Sequence, residues 1–265
     1  MMATVTATPF VEAIALMADA SRDIVKRAAL QVAQPITKSD GSPVTEFDRE
    51  VERALRAIVA ARFPDHGIIG EEYGSDKTDA EYVWIFDPID GTKQFITGIP
   101  EYGTLIALAH HGIPILGVID CPATGDRWMG GVDVPATRNG LSIKTRACNR
   151  LDSAIFKTSG PGAHNFEPYG TLMALAKAAR FTVYGGGCFA FGLLAEGRID
   201  FASDAGHNVY DFAAPAAVVQ AAGGIVTNWQ GQPLSIHSNG NFLMAGDRSV
   251  HAIALNVLQE ANSRG

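Results

Sequence analysis

Two carboxylates flank a short segment that follows a strongly apolar part of the sequence. Residues 82–86 are rich in β-branched and aromatic side chains, which predicts a buried strand. The strand leads directly into Asp87-Pro88-Ile89-Asp90 and then Gly91-Thr92. Because an unpaired carboxylate removed from water costs several kcal/mol, acids at the rim of a core need a partner. A helix beginning at Gly91-Thr92 would also direct free N–H groups at an anion, so this segment predicts a metal-assisted phosphate site.

More acids occur where a strand or loop meets a predicted helix. Together with the first pair, the set is Asp48, Glu71, Asp87, Asp90 and Asp211. Oxygen ligands without accompanying His or Cys suit Mg²⁺ or Mn²⁺. Two such ions about 3.5–4 Å apart can clamp a phosphoryl group and activate a water molecule. Acids at helix starts also serve as N-caps, and Asp211 fits that alternative well, so the spacing alone favours neither interpretation.

The elements that would position these acids indicate a layered α/β protein. Amphipathic patterns predict helices over residues 10–32 and 47–62, and strands over 104–109, 115–120 and 126–130 would form a meander. The second half alternates strands with helices, as layered α/β folds do. We expect one compact unit of two subdomains. Residues 1–145 would carry most metal ligands, and residues 146–265 would carry Asp211 and the substrate pocket.

Composition narrows the possible functions. The 265 residues are 47% hydrophobic, enough for a sizeable core, and the net charge of −7 argues against a nucleic-acid-binding surface. The three cysteines, Cys121, Cys148 and Cys188, lack the spacing of a zinc or redox motif, which predicts reduced thiols in a cytoplasmic protein. The start of the sequence does not resemble a signal peptide. No apolar run reaches the ~20 residues that span a bilayer, so no membrane partner is expected.

One histidine pair does not fit the acid-based site. His110 and His111 are adjacent, just before Gly112 in a predicted turn. Neighbouring side chains on a regular strand point to opposite faces, so this pair is predicted not to share a metal ion.

Four motifs in register resemble the inositol monophosphatase superfamily. They are residues 38–45 with Asp48, Gly70-Glu71-Glu72, the Asp87–Thr92 segment, and Tyr210-Asp211-Phe212-Ala213-Ala214 with Ala222-Gly223-Gly224. The likeness runs in the right order from about residue 10 to residue 250 of the chain. It implies an α/β fold, a layered αβαβα sandwich with mixed sheets. It also implies a homodimer that hydrolyses a phosphomonoester of a small metabolite without a covalent intermediate.

The resemblance also implies a set of metal ligands. Glu71, Asp87 and the Ile89 carbonyl would hold one Mg²⁺, and Asp87, Asp90 and Asp211 would hold a second. A third, weaker ion could share Glu71, and Mn²⁺ could substitute for Mg²⁺.

The remaining residues of the first site motif have catalytic roles in this family. Thr92 and Asp48 resemble the pair that positions and polarises the attacking water, assisted by Glu71. The backbone N–H groups of Gly91 and Thr92 would bind the phosphate at a helix N-terminus, where the dipole favours an anion.

Within the superfamily, several segments look most like the histidinol-phosphatase branch, which acts in histidine biosynthesis. They are residues 93–100, 103–108, 112–122, 125–128 and 184–194. Substrate contacts are therefore expected from Asp204, Gly186, Gly187 and Cys188. The chain departs from the branch at Gly187, where an acid is usual, and at Asn208-Val209, where Lys-Pro is frequent. A pocket for a substrate with an ammonium and an imidazole should present carboxylate, and Asp204 could supply it.

Other interpretations remain open at this point. Gly185-Gly186-Gly187 could be a plain tight turn into a helix. Inositol-1-phosphate, a 3′-phosphoadenosine nucleotide or a sugar bisphosphate are alternative substrates. The chain could also be a catalytically silent metal-binding regulator, or a structural domain whose acids are helix caps.

Overall fold

The computed structural model of the chain describes residues 5–31, 36–37, 43–160 and 166–263. Most of the N-terminal motif over residues 38–45 lies outside these ranges, whereas Asp48 lies inside them. Among the described residues, no helix is long and apolar enough to cross a membrane.

Helices and strands follow one another in an order close to the one predicted. The helices are α1 (Val11–Ala28), α2 (Glu46–Arg62), α3 (Thr92–Thr97), α4 (Phe166–Ala178), α5 (Gly187–Ala195), α6 (Val209–Ala221) and α7 (Arg248–Asn262). The strands of the first half are β1 (Ile36–Thr37), β2 (Pro43–Val44), β3 (Gly67–Gly70), β4 (Gly74–Asp76), β5 (Tyr82–Asp90), β6 (Gly103–His110), β7 (Ile113–Cys121), β8 (Asp126–Gly131), β9 (Val134–Arg138) and β10 (Leu141–Ser142). Those of the second half are β11 (Ile155–Thr158), β12 (Phe181–Tyr184), β13 (Phe201–Asp204), β14 (Ile225–Asn228) and β15 (Phe242–Ala245).

An eight-stranded mixed sheet forms the larger layer, in the order β10-β9-β8-β7-β6-β5-β3-β4. Its pairs are antiparallel except for β3 and β5, which run parallel. Helices α1 and α2 cover one face, where Met17, Leu55 and Trp84 share a buried cluster. The predicted β6–β7–β8 meander is confirmed, and the strand that carries Asp87 lies in the interior of the sheet, between β6 and β3.

Helices α5 and α6 form the middle layer, between the two sheets. Helix α6 contacts β5 to β8 on one side and β14 and β15 on the other, so it is buried almost all round. Small residues make this close packing possible. A Cβ at Gly117 of β7 would lie only 2.4 Å from the carbonyl oxygen of Ala214. The close approach of α6 holds its first turn, with Asp211, beside the larger sheet.

The second sheet has five strands in the order β12-β11-β13-β15-β14, parallel on one side and antiparallel on the other. Helices α4 and α7 cover its outer face, with Phe156, Phe201 and Leu258 in the buried cluster. The order of layers is therefore helices, sheet, helices, sheet, helices, which confirms the predicted αβαβα architecture. The division into subdomains at residue 145 stays a prediction.

Several element boundaries were predicted incorrectly. Helix α1 ends at Ala28, earlier than residue 32. Strands β4 and β9 were not predicted at all. Both lie toward the margins of the larger sheet, where neighbouring strands and not local hydrophobic alternation determine the pairing.

Candidate active site

A bulge in β5 brings the first two acids to one face of the larger sheet. Between Asp87 and Asp90 the register advances three residues on β5 but only two on β6. Residues three apart on a regular strand would point to opposite faces, and one extra residue restores them to the same face. Pro88 suits the bulge because it has no N–H to pair, and its carbonyl accepts a 2.7 Å hydrogen bond from the Thr104 hydroxyl.

Three carboxylates converge at this bulge. Asp87, Asp90 and Asp211 each place an oxygen within 4.8 Å of the other two. Asp211 lies in the first turn of α6. It is 121 positions further along the sequence than Asp90 (211 minus 90). Glu71, just after β3, joins the group because its charge lies close enough to Asp87 to raise the pKa of that carboxyl. Four of the five predicted acids are thereby brought together.

Burial and mutual repulsion make the charged forms of these carboxylates unfavourable. Burial, followed by the charges of Glu71, Asp90 and Asp211, raises the pKa of Asp87 well above its usual range. Burial and then Asp211 likewise raise the pKa of Asp90. The Asp87 carboxyl is 3% exposed, and its Oδ1 has no hydrogen-bond partner among the described residues. A divalent cation bound by oxygen would relieve both the repulsion and this unsatisfied oxygen, so the residues fit a hard-cation site.

Asp48 and Thr92 form a second part of the site. Asp48 Oδ2 accepts hydrogen bonds from Thr45 N and Thr45 Oγ1, at 2.8 and 2.6 Å, and so caps α2. Thr92 Oγ1 lies 3.4 Å from Asp48 Oδ1 and 3.1 Å from the Ile89 carbonyl oxygen. The capping alternative is therefore correct for one oxygen of Asp48, while the other faces Thr92.

Asp211 combines the same two features. Its Oδ2 accepts a 2.7 Å hydrogen bond from Asn208 N, which caps α6, and lies 3.3 Å from His207 Nδ1. Burial lowers the pKa of His207, but the hydrogen bond and charge of Asp211, with the charge of Asp204, outweigh burial and raise it overall. Capping and membership of the acid cluster are thus compatible, because a carboxylate has two oxygens.

Gly91 starts α3 in a conformation that favours glycine. Its φ is +81°, and a Cβ there would lie 2.9 Å from the carbonyl oxygen of Glu101. The first intrahelical bond runs from Phe95 N to Gly91 O at 2.9 Å. The N–H groups of the preceding turn, including that of Thr92, have no acceptor within the helix. They lie directly after Asp90, as the sequence predicts.

The predicted role of Asp204 as a contact for a substrate amine does not agree with its surroundings. Asp204 is 0% exposed, at the end of β13. Its oxygens accept hydrogen bonds from Lys157 Nζ at 2.9 Å, Thr158 Oγ1 at 2.7 Å, and Ser159 N and Oγ at 2.8 and 3.0 Å. A carboxylate with this many donors is a structural ion pair, not an exposed contact. The signal was Lys157 itself, a lysine inside an apolar strand, which needs a buried partner.

The loop after β12 reaches the acid cluster in a way the sequence did not reveal. Cys188 N donates a 2.6 Å hydrogen bond to Asp90 Oδ2, while the Cys188 side chain is buried with its Sγ 3.8 Å from Cys121 Sγ. Gly186 and Gly187 both have positive φ, +80° and +42°. This loop therefore positions Asp90 through the N–H of Cys188.

The layered fold and its buried cluster of acids define the class as a metal-dependent phosphatase. The chain belongs to the inositol monophosphatase family, whose model matches residues 5–263. It is 37% identical to the chloroplastic bifunctional phosphatase IMPL2 of Arabidopsis thaliana, over 92% of this chain and 73% of that protein. It is 35% identical to a histidinol-phosphatase of Chlorobaculum parvum, over 82% of this chain and 83% of that one. The solved structure of an inositol monophosphatase from Zymomonas mobilis is 38% identical with a TM-score of 0.86, covering 96% of this chain and all of that one (100%).

Proposed function

We propose that the chain hydrolyses the phosphomonoester of a small metabolite at the Asp87–Asp90–Asp211 cluster, with Mg²⁺ as the cofactor. The observation that carries this proposal is the buried, unsatisfied Oδ1 of Asp87 inside a group of mutually repelling carboxylates. Such a group is costly unless cations occupy it. A structural domain with acids used only as caps would have no reason to bury them together.

The ligands divide between two ions. Glu71, Asp87 and the carbonyl of Ile89 would hold one Mg²⁺, and Asp87, Asp90 and Asp211 would hold the other, with Glu71 available to a third. Mn²⁺ offers the same preference for oxygen ligands. When bound, the ions supply positive charge that stabilises the phosphoryl oxygens and lowers the pKa of water.

The chain's own groups position the reactants. The Thr92 hydroxyl would accept a hydrogen bond from the attacking water, and the proton would pass through it to Asp48 Oδ1, 3.4 Å away. Glu71 would assist this transfer, as the resemblance to the family implies. The N–H groups of Gly91 and Thr92 would hold a phosphoryl oxygen as the water oxygen bonds to phosphorus and the ester P–O bond breaks. The leaving oxygen takes a proton from solvent water and departs as the alcohol.

Histidinol phosphate is the substrate we propose. The relative of Chlorobaculum parvum named histidinol-phosphatase supports it, together with the subfamily segments of the sequence. The part of this substrate beyond the phosphate would lie against the loop of Gly186, Gly187 and Cys188, where the sequence predicts substrate contacts.

Inositol-1-phosphate is the second candidate, and one observation favours it. Because Lys157 pairs with the buried Asp204, this carboxylate is not available to hold an ammonium group. A neutral polyol does not need that carboxylate.

Phosphate release from a panel of esters tests both the proposed hydrolytic site and the proposed substrate. Histidinol phosphate, inositol-1-phosphate and adenosine 3′,5′-bisphosphate would be compared with Mg²⁺ and with a chelator. Asp87→Asn should lower kcat by at least roughly 10²–10³, the loss expected when one electrostatic contact to the transition state is removed. Asp65→Asn, the same change at an exposed residue, is the control. Retained turnover by Asp87→Asn would refute the site, whereas turnover of another ester alone would change only the substrate.

Besides the substrate, we propose a second copy of the chain as a binding partner. Strand β12 lies at the edge of its sheet and has no strand neighbour on its outer side in the described part of the chain. Phe181, Val183 and Tyr184 on this edge are 48%, 36% and 49% exposed. An exposed apolar edge strand of this kind is a typical pairing surface, which supports a homodimer. Val183→Lys should shift the mass measured by light scattering to that of a monomer, while Ile253→Lys, at a 39% exposed apolar residue on α7, should not.

A further inference from the structure

A second cluster of metal-ligating side chains lies at the opposite end of β5 from the acids. Glu81, His110 and His111 each place one ligand atom within 4.8 Å of the other two. The expectation that the two histidines point apart is wrong, because His111 is not part of a regular strand. The φ of His111 is +46° and that of Gly112 is +78°. His111 and Gly112 are therefore the two central residues of the β6–β7 hairpin turn. The turn swings the His111 ring to 4.2 Å from the His110 ring, centre to centre.

Neighbouring contacts hold this cluster in place. His110 Nε2 lies 3.2 Å from Glu81 Oε1, and His111 N donates a 2.8 Å hydrogen bond to the backbone oxygen of Glu81. The ring of Tyr82 packs against His110 with centroids 4.8 Å apart. Residue 81 and the hairpin turn are therefore joined before any ion is present, which reduces the entropy lost on binding one.

We propose that Glu81, His110 and His111 form a binding site for a borderline transition-metal cation of the Zn²⁺ class. Two imidazole nitrogens and one carboxylate oxygen are a ligand set that Zn²⁺ takes, with water in the fourth position. Mg²⁺ prefers oxygen ligands and is discriminated against by this set. The chain would thus hold two kinds of ion, hard cations at the oxygen cluster and a softer one at the hairpin.

Access and the fourth ligand position are also provided. The cluster borders an open groove of about 690 Å³ whose other lining residues are mostly apolar, namely Val5, Ile113, Ile115 and Val132. The His110 side chain is 15% exposed and that of Glu81 is 60% exposed, so solvent and ions reach the donors from the groove. Water from the groove can fill the remaining coordination position.

The hairpin site and the acid cluster are spatially independent. Glu81 precedes Asp87 by six residues along an extended strand, which at about 3.3 Å per residue places them roughly 20 Å apart. A metal at the hairpin would tie the start of β5 to the β6–β7 turn and stabilise the edge of the groove. It would not take part in phosphate ester hydrolysis.

The competing explanation is an ordinary His–Glu ion pair with packed aromatic rings. That arrangement accounts for the 3.2 Å contact between His110 and Glu81. It assigns no role to His111, whose side chain is exposed yet turned toward the same point. The two explanations differ in one measurable property, which is the binding of Zn²⁺ in the presence of excess Mg²⁺.

The test is calorimetric titration of the full chain, without a polyhistidine tag, with Zn²⁺ in saturating Mg²⁺. One Zn²⁺ per chain is expected, and it should persist in Asp87→Asn, where the catalytic cluster is weakened. Residues that only hydrogen-bond to a metal ligand already account for roughly 10–100-fold in metal affinity. Loss of a direct ligand in His110→Gln or Glu81→Gln should therefore weaken Zn²⁺ binding about 100-fold or more. Glu12→Gln, the same chemical change at another exposed glutamate, should bind as the unmodified chain does.

A second variant and a spectroscopic signal keep the test decisive. His111→Asn retains the turn, because asparagine tolerates positive φ, but removes one imidazole. The visible absorption of bound Co²⁺, which reports low-coordinate nitrogen ligation, should appear in the unmodified chain and be lost in His111→Asn. Melting temperatures of the metal-free variants show that each is folded. No Zn²⁺ binding above the Mg²⁺ background would overturn the proposal, as would binding that is unchanged in His110→Gln and Glu81→Gln.

Discussion

Replacing Gly187 by alanine would move a carboxylate of the acid cluster without changing any charge. Gly187 has a φ of +42°, and a Cβ there would lie 2.7 Å from Asp90 Oδ2 and 3.1 Å from the carbonyl oxygen of Glu101. The Glu101 contact is with backbone, which gives little. Asp90 must therefore withdraw until the contact reaches about 3.4 Å, the lower limit of ordinary van der Waals contact. This movement also stretches its hydrogen bond from Cys188 N.

Gly185→Ala is the matched control. Gly185 has a φ of +81°, so alanine there meets the same left-handed backbone, but its Cβ would have nothing within 4 Å. Left-handed backbone costs an L-residue about 1–2 kcal/mol, and each kcal/mol lowers the melting temperature of a protein this size by about 2–4 °C. Both variants should lose stability by this amount, and Gly187→Ala should lose more because of the contact with Asp90.

The difference between the two variants should be clearest in their Mg²⁺ requirement. Mg²⁺ demands near-ideal octahedral geometry, so a displaced Asp90 should raise the Mg²⁺ concentration for half-maximal phosphate release by roughly tenfold or more. Gly185→Ala should keep the requirement of the unmodified chain. Phosphate release measured against Mg²⁺ concentration, at a temperature where both variants are folded, gives the two values. Equal Mg²⁺ requirements for Gly187→Ala and Gly185→Ala would show that the loop does not position Asp90.

Three further predictions concern single side chains. Lys157→Met leaves Asp204 buried without its cation, which should destabilise the chain by about 3–5 kcal/mol in urea unfolding. Adding Asp204→Asn to this variant should restore most of the lost stability. An unchanged urea midpoint in Lys157→Met would contradict the ion pair. Burial lowers the pKa of His251 in the folded chain, so its contribution to stability is present above about pH 6.5 and is lost as the pH falls below that value. Unfolding free energies at pH 8 and pH 5.5 should therefore differ more in the unmodified chain than in His251→Gln, and equal differences would disprove it. Thr92→Ala should lower kcat by roughly 10²–10⁴ with little change in the Mg²⁺ requirement, as loss of a proton-transfer group does; Thr97→Ala, at an exposed residue of the same helix, is its control.

Local sequence was sufficient where the determining interactions are local. The apolar run before Asp87 forms β5, the glycine after Asp90 begins α3 with positive φ, and the acidic residue type itself selects hard cations. Strand–helix alternation likewise indicated the layered architecture, because each element must cover a hydrophobic face of its neighbour.

Tertiary structure alone decided which side chains are available for chemistry. Asp204 was a reasonable substrate contact until folding placed it against Lys157, 47 positions away in the sequence. The bulge that turns Asp87 and Asp90 to the same face depends on the pairing of β5 with β6. The turn that brings the rings of His110 and His111 together depends on the pairing of β6 with β7. The types of the acids and histidines are local information, whereas their burial, partners and direction depend on strands and helices that are distant along the chain.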